Sequence, residues 1–469
     1  MFKKGQLVEL DIVDMSNQGL AIGKADSMAV FVPGPIPGDK VTAKLTKLKK
    51  NYAFGDLVSV DEASPWRQKD FCIHGEECGG CPYGEIEYGH QLHIKEKQVR
   101  DKLVRLAGLR DPKVNPIIPM EDPLHYRNKA TLAISTGGNI MKKGGIIENL
   151  GPVGVGFYEA GSHRVFHCVD CRIQSPAVMA AAEVLRRFME EDNITAWDEK
   201  WKQGLMKNMV VKTGFATGEV MVVLGINGKG IPNGEKMVGM LSEAISQTGY
   251  DLHSVVLDNE KDLIYLAGKK TILEKVGDLE VEISPRSFFQ VNPVMTEILY
   301  DTVCRYANLT GKENVLDLYC GIGTIGLYCA GEAGYVLGIE EEKQAILDAN
   351  RNAVINGIVN AQFLHGRAEE VLPKLLAGEG DNALVEVAKN ADVVILDPPR
   401  VGCHPALLDA VVKTSPDRIV YMSCDPGTLA RDIKILREQG YEFVEATPAD
   451  NFPWTNHVEV VALLTRKRE

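Results

Sequence analysis

No stretch of the 469-residue chain approaches the ~18 consecutive apolar residues that span a bilayer, so no membrane association is expected. The N-terminus, MFKKGQLVELDIVDM, has two early lysines but neither a continuous apolar stretch nor a small-residue cleavage site, and a cytoplasmic protein is predicted. Internal repeats and low-complexity tracts are missing, which removes solenoids and arrays. Excess positive charge is missing too: the formal net charge is -12. Taken as a sum, that argues against a nucleic-acid partner, although binding depends on where the charge lies. Ten cysteines in a reducing compartment do not predict a disulfide framework, and Cys304 and Cys329 read as small hydrophobes.

What is present is ordinary globular material, 45% apolar and 25% charged, in a chain too long for one core. Single cores stop growing at roughly 250–300 residues, so two or three domains are expected. Residues 1–60 alternate in QLVELDIVDM, AVFVPG, DKVTAKLTKLKK and FGDLVSV, separated by Gly- and Pro-rich turns, and read as a small OB-like β-barrel. Residues 61–283 open on a cysteine loop, continue into a helix with Leu92, Val99, Leu103 and Leu106 near helical spacing, and then mix strands and helices. Within them, MVVKTGFATGEVMVVLGI reads as a hairpin. Two basic segments stand out, Lys40, Lys44, Lys47, Lys49 and Lys50, then Lys95, Lys97, Arg100, Lys102, Arg105 and Arg110. They are either solvated faces or a surface for an anionic polymer.

From residue 284 to 469 strand and helix alternate through NVLDLYC, YVLGIE, AQFLHG, ADVVILDPP and RIVYMSC, before FVEATPA and HVEVVALLT. That order predicts a doubly wound, Rossmann-like α/β domain with its ligand at the carboxyl ends of the strands. GIGTIG after the first strand matches a dinucleotide fingerprint. However, Asp317 precedes the loop and would be a poor neighbour for a pyrophosphate; it suits S-adenosyl-L-methionine (SAM), which carries an amino acid and a sulfonium. Glu340, ending the next strand, is placed to accept ribose hydroxyls. Asp397 ends the fourth strand in ILDPPRVG, where an adenine N6-methyltransferase would carry an aromatic residue after DPP; here Arg400 stands instead.

Cys424 ends the strand RIVYMS on the same rim, before a helix expected to begin near Gly427, whose N–H groups would lower its pKa. A thiolate there can add to C6 of a pyrimidine and make C5 nucleophilic. The adduct then needs a base to take the C5 proton, and Glu459 in NHVEVVALL is the candidate. His457 reads as a positioning residue. FCIHGEECGGCPY sets Cys72, Cys78 and Cys81 close together as metal ligands, with Cys168 or Cys171 as the fourth; zinc and an iron-sulfur cluster both suit such a set.

GQLVELDIVDMSNQGLAIGK and VFVPGPIPGDKV resemble a TRAM domain, an RNA-binding module. Together, SPRSFFQVN, DLYCGIGT, ILDPPR, YMSCDP and NHVE resemble the RNA uracil-C5 methyltransferase family, in its 23S rRNA branch. The resemblance implies Cys424 as nucleophile, Glu459 as base, and SAM contacts at Gln290, Tyr319, Glu340 and Asp397; Thr324 stands where some relatives carry Asn. It also implies a 4Fe-4S cluster on Cys72, Cys78, Cys81 and Cys171, a 23S rRNA substrate and a monomer. A transfer RNA enzyme would share the catalytic motifs, but the resemblance implies that branch lacks barrel and cysteine loop. A non-enzymatic RNA-binding iron-sulfur protein is the third reading.

Overall fold

The computed structural model describes residues 2–69, 71–135, 139–142, 146–149 and 152–467. Strands Leu7–Met15, Ala21–Ala25, Met28–Val32, Lys40–Leu48 and Tyr52–Glu62 close into a barrel in the order first, second, third, fifth, fourth. Period-2 alternation turns Val8, Leu10 and Ile12 of the first strand and Val41, Ala43 and Leu45 of the fourth inward. The sequence reading misses the second strand, AIGKA, because its inward side chains are too small to mark a period. Gly23 is small for a reason, since a Cβ there would sit 2.9 Å from the Leu10 Cβ. Lys40, Lys44, Lys47, Lys49 and Lys50 all lie on the barrel's exposed surface.

The middle of the chain builds a seven-stranded sheet in the order Val165–His167, Val155–Tyr158, Lys129–Ile134, Met206–Thr213, Glu219–Ile226, Asp251–Asp258, Leu263–Gly268. The hairpin expected over residues 209–226 is there, its first strand starting earlier, at Met206, and Thr213 opposite Val220. One pair, Glu219–Ile226 with Asp251–Asp258, is parallel. Helix Gly234–Ser246 makes that crossover and packs with helix Pro176–Glu191 over one apolar core.

Helix Tyr88–Arg105 does not belong to that sheet. Its Val99 and Leu103 enter the core of the C-terminal domain beside Leu429 and Ile433, and the following segment pairs at Val114 and Ile118 with Ala446 and Ala449. The buried face is Gln91, Ile94, Lys95, Gln98, Val99 and Leu103, so the expected apolar stripe is corrected: Leu106 is exposed. Lys95 is corrected as well. Rather than part of a solvated basic face, it is fully buried, its Nζ donating to Asp450 Oδ1 at 2.5 Å and to the Phe452 carbonyl at 2.9 Å. Burial lowers the Lys95 pKa while Asp450 opposes the shift. Removing one member of such a pair strands the other charge in the interior. Lys95→Ala is therefore expected to cost about 3–5 kcal/mol of stability, read from denaturant unfolding.

The C-terminal sheet runs Ala361–His365, Tyr335–Glu340, Asn314–Leu318, Val393–Leu396, Arg418–Ser423, Glu459–Arg466, Tyr441–Ala449. The first five strands are parallel, Glu459–Arg466 runs antiparallel to them, and the edge strand Tyr441–Ala449, antiparallel to Glu459–Arg466, runs with the first five. Strand order reverses beside Asn314–Leu318, and the crevice of a doubly wound sheet opens at such a switch point. One apolar cluster joins Met221 and Val256 of the middle sheet to Val281, Leu299, Val315 and Val336, so the two sheets share a core. Cys304 and Cys329 are not separate hydrophobes. They are joined as a disulfide between helices Pro293–Ala307 and Thr324–Cys329, with Cα atoms 5.9 Å apart, a normal bridging separation.

Candidate active site

The loop after strand Asn314–Leu318 is shaped by left-handed backbone at Tyr319, Gly321 and Gly323. At Gly323 a Cβ would meet the Phe363 ring at 2.8 Å, so only glycine lets the loop close against its neighbour strand. Asp317 is buried beneath this turn. Its Oδ2 accepts from the Gly326 N–H at 2.9 Å, its Oδ1 has no partner, and burial pushes its pKa up to about 7. Glu340 accepts from the Gly321 N–H at 3.1 Å and the Glu342 N–H at 2.9 Å, one on each oxygen. A carboxylate oxygen has two acceptor sites, so both retain capacity for hydroxyl donors.

Tyr319 and Glu340 line an open cavity of about 400 Å³. Arg367, Glu369, His404 and Arg431 line it too, and sequence reasoning missed them because none belongs to the motifs that mark the strand ends. Gln290 and Asp397 meet at a separate point, the Gln290 Nε2 lying 3.5 Å from Asp397 Oδ2. Thr324 is buried, its hydroxyl bonded to the Tyr300 hydroxyl at 2.7 Å.

Cys424 follows the strand Arg418–Ser423, as expected, and the helix Pro426–Glu438 starts just after it. The expected lowering of its pKa is overturned. Asp425 caps the helix, accepting from the Gly427 and Thr428 N–H groups at 2.8 and 2.9 Å, so the donors that would favour a thiolate already serve a carboxylate. Burial first, then Glu459 and Asp397, push Cys424 up to about 12, while Arg400 pulls it back. Glu459 is 3% exposed with Oε2 unpartnered, and burial followed by Asp397 holds it well above the carboxylate range. Burial and then Asp317 raise Asp397 to about 8.

Cys424, Glu459 and Asp397 therefore rest protonated, with Arg400 as the cation acting on the first two. Arg400 reaches His457 Nε2 at 3.2 Å. Burial, then Arg400, lowers His457 to about 4, so the imidazole is neutral at pH 7 and can accept that contact. In the ligand-free protein, alkylation of Cys424 by iodoacetamide is expected to be slow at neutral pH. It should speed up about tenfold per pH unit while pH stays below about 12. Mass spectrometry of the Cys424 peptide checks this; a rate flat in pH would reveal a thiolate already present.

Other segments complete the rim. Asn17 of the barrel, Gln98 and Lys102 of helix Tyr88–Arg105, and Asn456 and His457 border a small cleft at Cys424. Asn456 Nδ2 donates to the Asn17 carbonyl at 2.5 Å, which seats the barrel against the loop before Glu459. Of these, Lys102 carried a sequence signal as part of the basic run, and Asn456 and His457 as part of NHVE; Asn17 and Gln98 carried none.

Burial raises the thiol pKa of Cys72, Cys78 and Cys81, and Cys171 lies near enough to all three to raise them further. Among the described residues, no three His, Cys, Asp or Glu side chains converge in metal-holding geometry. The Cys168 thiol donates to the Asp170 carbonyl at 3.2 Å, and the closeness of Cys168 to Cys171 holds Cys171 below the usual thiol range and Cys168 above it. Next to Cys72, the Phe71 ring stacks on Trp454 at 4.1 Å, tying the cysteine loop to the loop that leads to Glu459.

Three comparisons bear on this arrangement. The sequence model of the family described as tRNA (Uracil-5-)-methyltransferase matches residues 219–467, and that of the TRAM domain matches residues 2–58. An uncharacterized RNA methyltransferase of Caldanaerobacter subterraneus subsp. tengcongensis is 41% identical over 99% of both chains. Another, of Halalkalibacterium halodurans, is 39% identical over 99% of this chain and 98% of its own. Among solved structures, the Pyrococcus abyssi tRNA (uracil-54, C5)-methyltransferase in complex with S-adenosyl-L-homocysteine is similar at a TM-score of 0.73 and 28% identity, covering 98% of this chain and 100% of that one. Among the described residues no helix is long and apolar enough to cross a membrane.

Proposed function

The chain belongs to the (uracil-5-)-methyltransferase family, as a SAM-dependent RNA methyltransferase with an N-terminal TRAM domain, and on that premise we propose that it methylates C5 of a uridine in 23S ribosomal RNA through a covalent Cys424–C6 adduct. The observation that carries the reading is the juxtaposition, at the switch-point rim, of Cys424 with a buried, partly unpartnered Glu459. The cofactor supplies an electrophilic methyl group. Gln290, Tyr319, Glu340 and Asp397 would hold it, and they fit: the cavity along Tyr319 and Glu340 is roomy, and Gln290 and Asp397 bring unsaturated polar groups together.

Cys424 Sγ, once deprotonated, bonds to C6 of the uracil and the C5–C6 π pair moves onto C5 and O4. C5 bonds to the methyl carbon as that carbon's bond to the sulfonium sulfur breaks, the electron pair staying on sulfur to leave the thioether S-adenosyl-L-homocysteine. The Glu459 carboxylate then takes the C5 proton, the electron pair re-forms the C5–C6 double bond, and the C6–S bond breaks to release the thiolate. Both groups must first lose their resting protons, a loss that Arg400 favours at each. A base buried in a stack offers neither face, so the uridine must be splayed out. The exposed lysines of the barrel are suited to hold the RNA backbone meanwhile.

A second reading, a transfer RNA substrate, has a specific observation behind it. The P. abyssi enzyme is named for tRNA yet covers 98% of this chain, the barrel region included, so a barrel does not exclude tRNA as the sequence reading supposed. Methyl transfer from tritiated SAM to separated, unmodified 23S rRNA and tRNA decides between them. Label in 23S rRNA as 5-methyluridine is the expected result, and label confined to tRNA would replace the substrate.

A 4Fe-4S cluster on Cys72, Cys78, Cys81 and Cys171 rests on the family resemblance alone, because among the described residues no three of these side chains converge in metal-holding geometry. Such a cluster would brace the catalytic loop through the Phe71–Trp454 stack; the methyl transfer needs no electron. In anaerobically purified monomer, Cys171→Ser is expected to lose iron and acid-labile sulfide while Cys168→Ser keeps both. Zinc in place of iron would overturn the cluster.

A further inference from the structure

The segment Ser284–Val291, SPRSFFQV, lies between hairpin strand Leu279–Ile283 and helix Pro293–Ala307 and belongs to neither. Without a ladder or helical bonds of its own, its course depends on what fastens it: Arg351 holds the Ser284 hydroxyl at 3.0 Å, and the side-chain clasps on its backbone carbonyls come from the middle sheet and its edge. Lys212, on strand Met206–Thr213 and 4% exposed, donates from Nζ to the Ser284 carbonyl at 2.6 Å and to the Ser287 carbonyl at 2.8 Å. Asn128 holds the other end: its N–H donates to the Val291 carbonyl at 2.9 Å and its Nδ2 to the Gln290 carbonyl at 3.0 Å. Between these clasps the segment buries Phe289 and turns Gln290 toward Asp397 of the C-terminal sheet.

We propose that Lys212 is a positioning residue for the cofactor side of the site, acting through Gln290. An apolar chain would fill the same space without burying an amine; what it cannot do is fix two carbonyls at once and so set the turn of the segment. Lys212 serves as a donor rather than as one half of an ion pair. Burial pulls it down to about 7, Lys129 adds to the shift, and Asp348 opposes it. The inference rests on Gln290 contacting SAM, as proposed above. It also gives the middle sheet a part in cofactor binding, since the loop it fastens is the one that crosses to the methyl-transfer domain.

The test is SAM titration calorimetry on the full chain with Lys212→Met, Asn128→Ala, Gln290→Ala and the Lys212→Met/Gln290→Ala double variant, beside turnover at saturating SAM. Lys212→Met and Asn128→Ala are each expected to weaken SAM binding about tenfold, the scale of one lost buried hydrogen bond, with turnover at saturation within about twofold. In the double variant the Lys212 change should add little to that of Gln290→Ala. If Gln290→Ala weakens binding but Lys212→Met and Asn128→Ala do not, or if the effects add in full, Lys212 does not act through Gln290 and the proposed function stands. If Gln290→Ala has no effect on SAM, the assignment of Gln290 falls, and this inference with it. Should Lys212→Met fail to fold, Asn128→Ala carries the same titration.

Discussion

Cys424→Ala is expected to abolish methyl transfer, with turnover falling on the order of 10⁵- to 10⁶-fold, the scale lost when a covalent catalyst loses its nucleophile. The size of the effect follows from the chemistry of uracil. C5 is a poor carbon nucleophile until C6 is saturated, and among the described residues no other thiol stands with Glu459: Cys320 and Cys403 are buried in their own loops. SAM binding should survive the change within about threefold, because Cys424 lies in the small cleft bordered by Asn17 and Asn456 rather than in the cavity along Tyr319 and Glu340. Tritium transfer to RNA and SAM calorimetry on the same preparation check both halves. Turnover within tenfold of the unaltered enzyme would remove Cys424 from the mechanism.

Glu459→Gln separates the two halves of the reaction. An amide fills the same volume but cannot accept the C5 proton, so adduct formation and methylation proceed and release stops. Turnover is expected to fall about 10²- to 10⁴-fold, the range of a general base. Ordinary uridine RNA should then accumulate as a methylated covalent complex that survives denaturing electrophoresis. The substitution also removes the acid that raises the Cys424 pKa after burial, so adduct formation in the variant should reach its half-maximal rate at lower pH than in the unaltered protein. The sign follows from a neutral amide no longer disfavouring a neighbouring thiolate. A variant that turns over slowly without accumulating adduct would assign the proton to another group.

The C-terminal sheet was legible because its parallel strands are buried on both faces and read as apolar runs, each ending on the residue that reaches the site: Leu318 before Tyr319, Ile339 before Glu340, Leu396 before Asp397, Ser423 before Cys424. Alternation made the barrel legible except for AIGKA, where small side chains hide the period. What stayed hidden depends on partners far along the chain. Lys95 reads as one more surface lysine until Asp450, 355 residues later, is found against it. Lys212 is equally silent, because its partners are backbone carbonyls and carry no sequence signal. The protonation of Cys424 was misread for the same reason. The helix after it was expected correctly, but the acids that oppose a thiolate come from two other strands and from its own neighbour Asp425. Local sequence fixed where the thiol stands and left its charge to the tertiary fold.

The central claim is that Cys424 is the atom that bonds to uracil. RNA containing 5-fluorouridine blocks the final proton removal, so incubation with SAM should trap the complex after methyl transfer. Digestion and tandem mass spectrometry would then place the cross-linked nucleotide on one peptide. The account predicts a methylated fluorouracil on Cys424. A cross-link on a different residue, or methyl transfer to ordinary uridine RNA by the same preparation with no trapped complex from the fluorinated RNA, would contradict it.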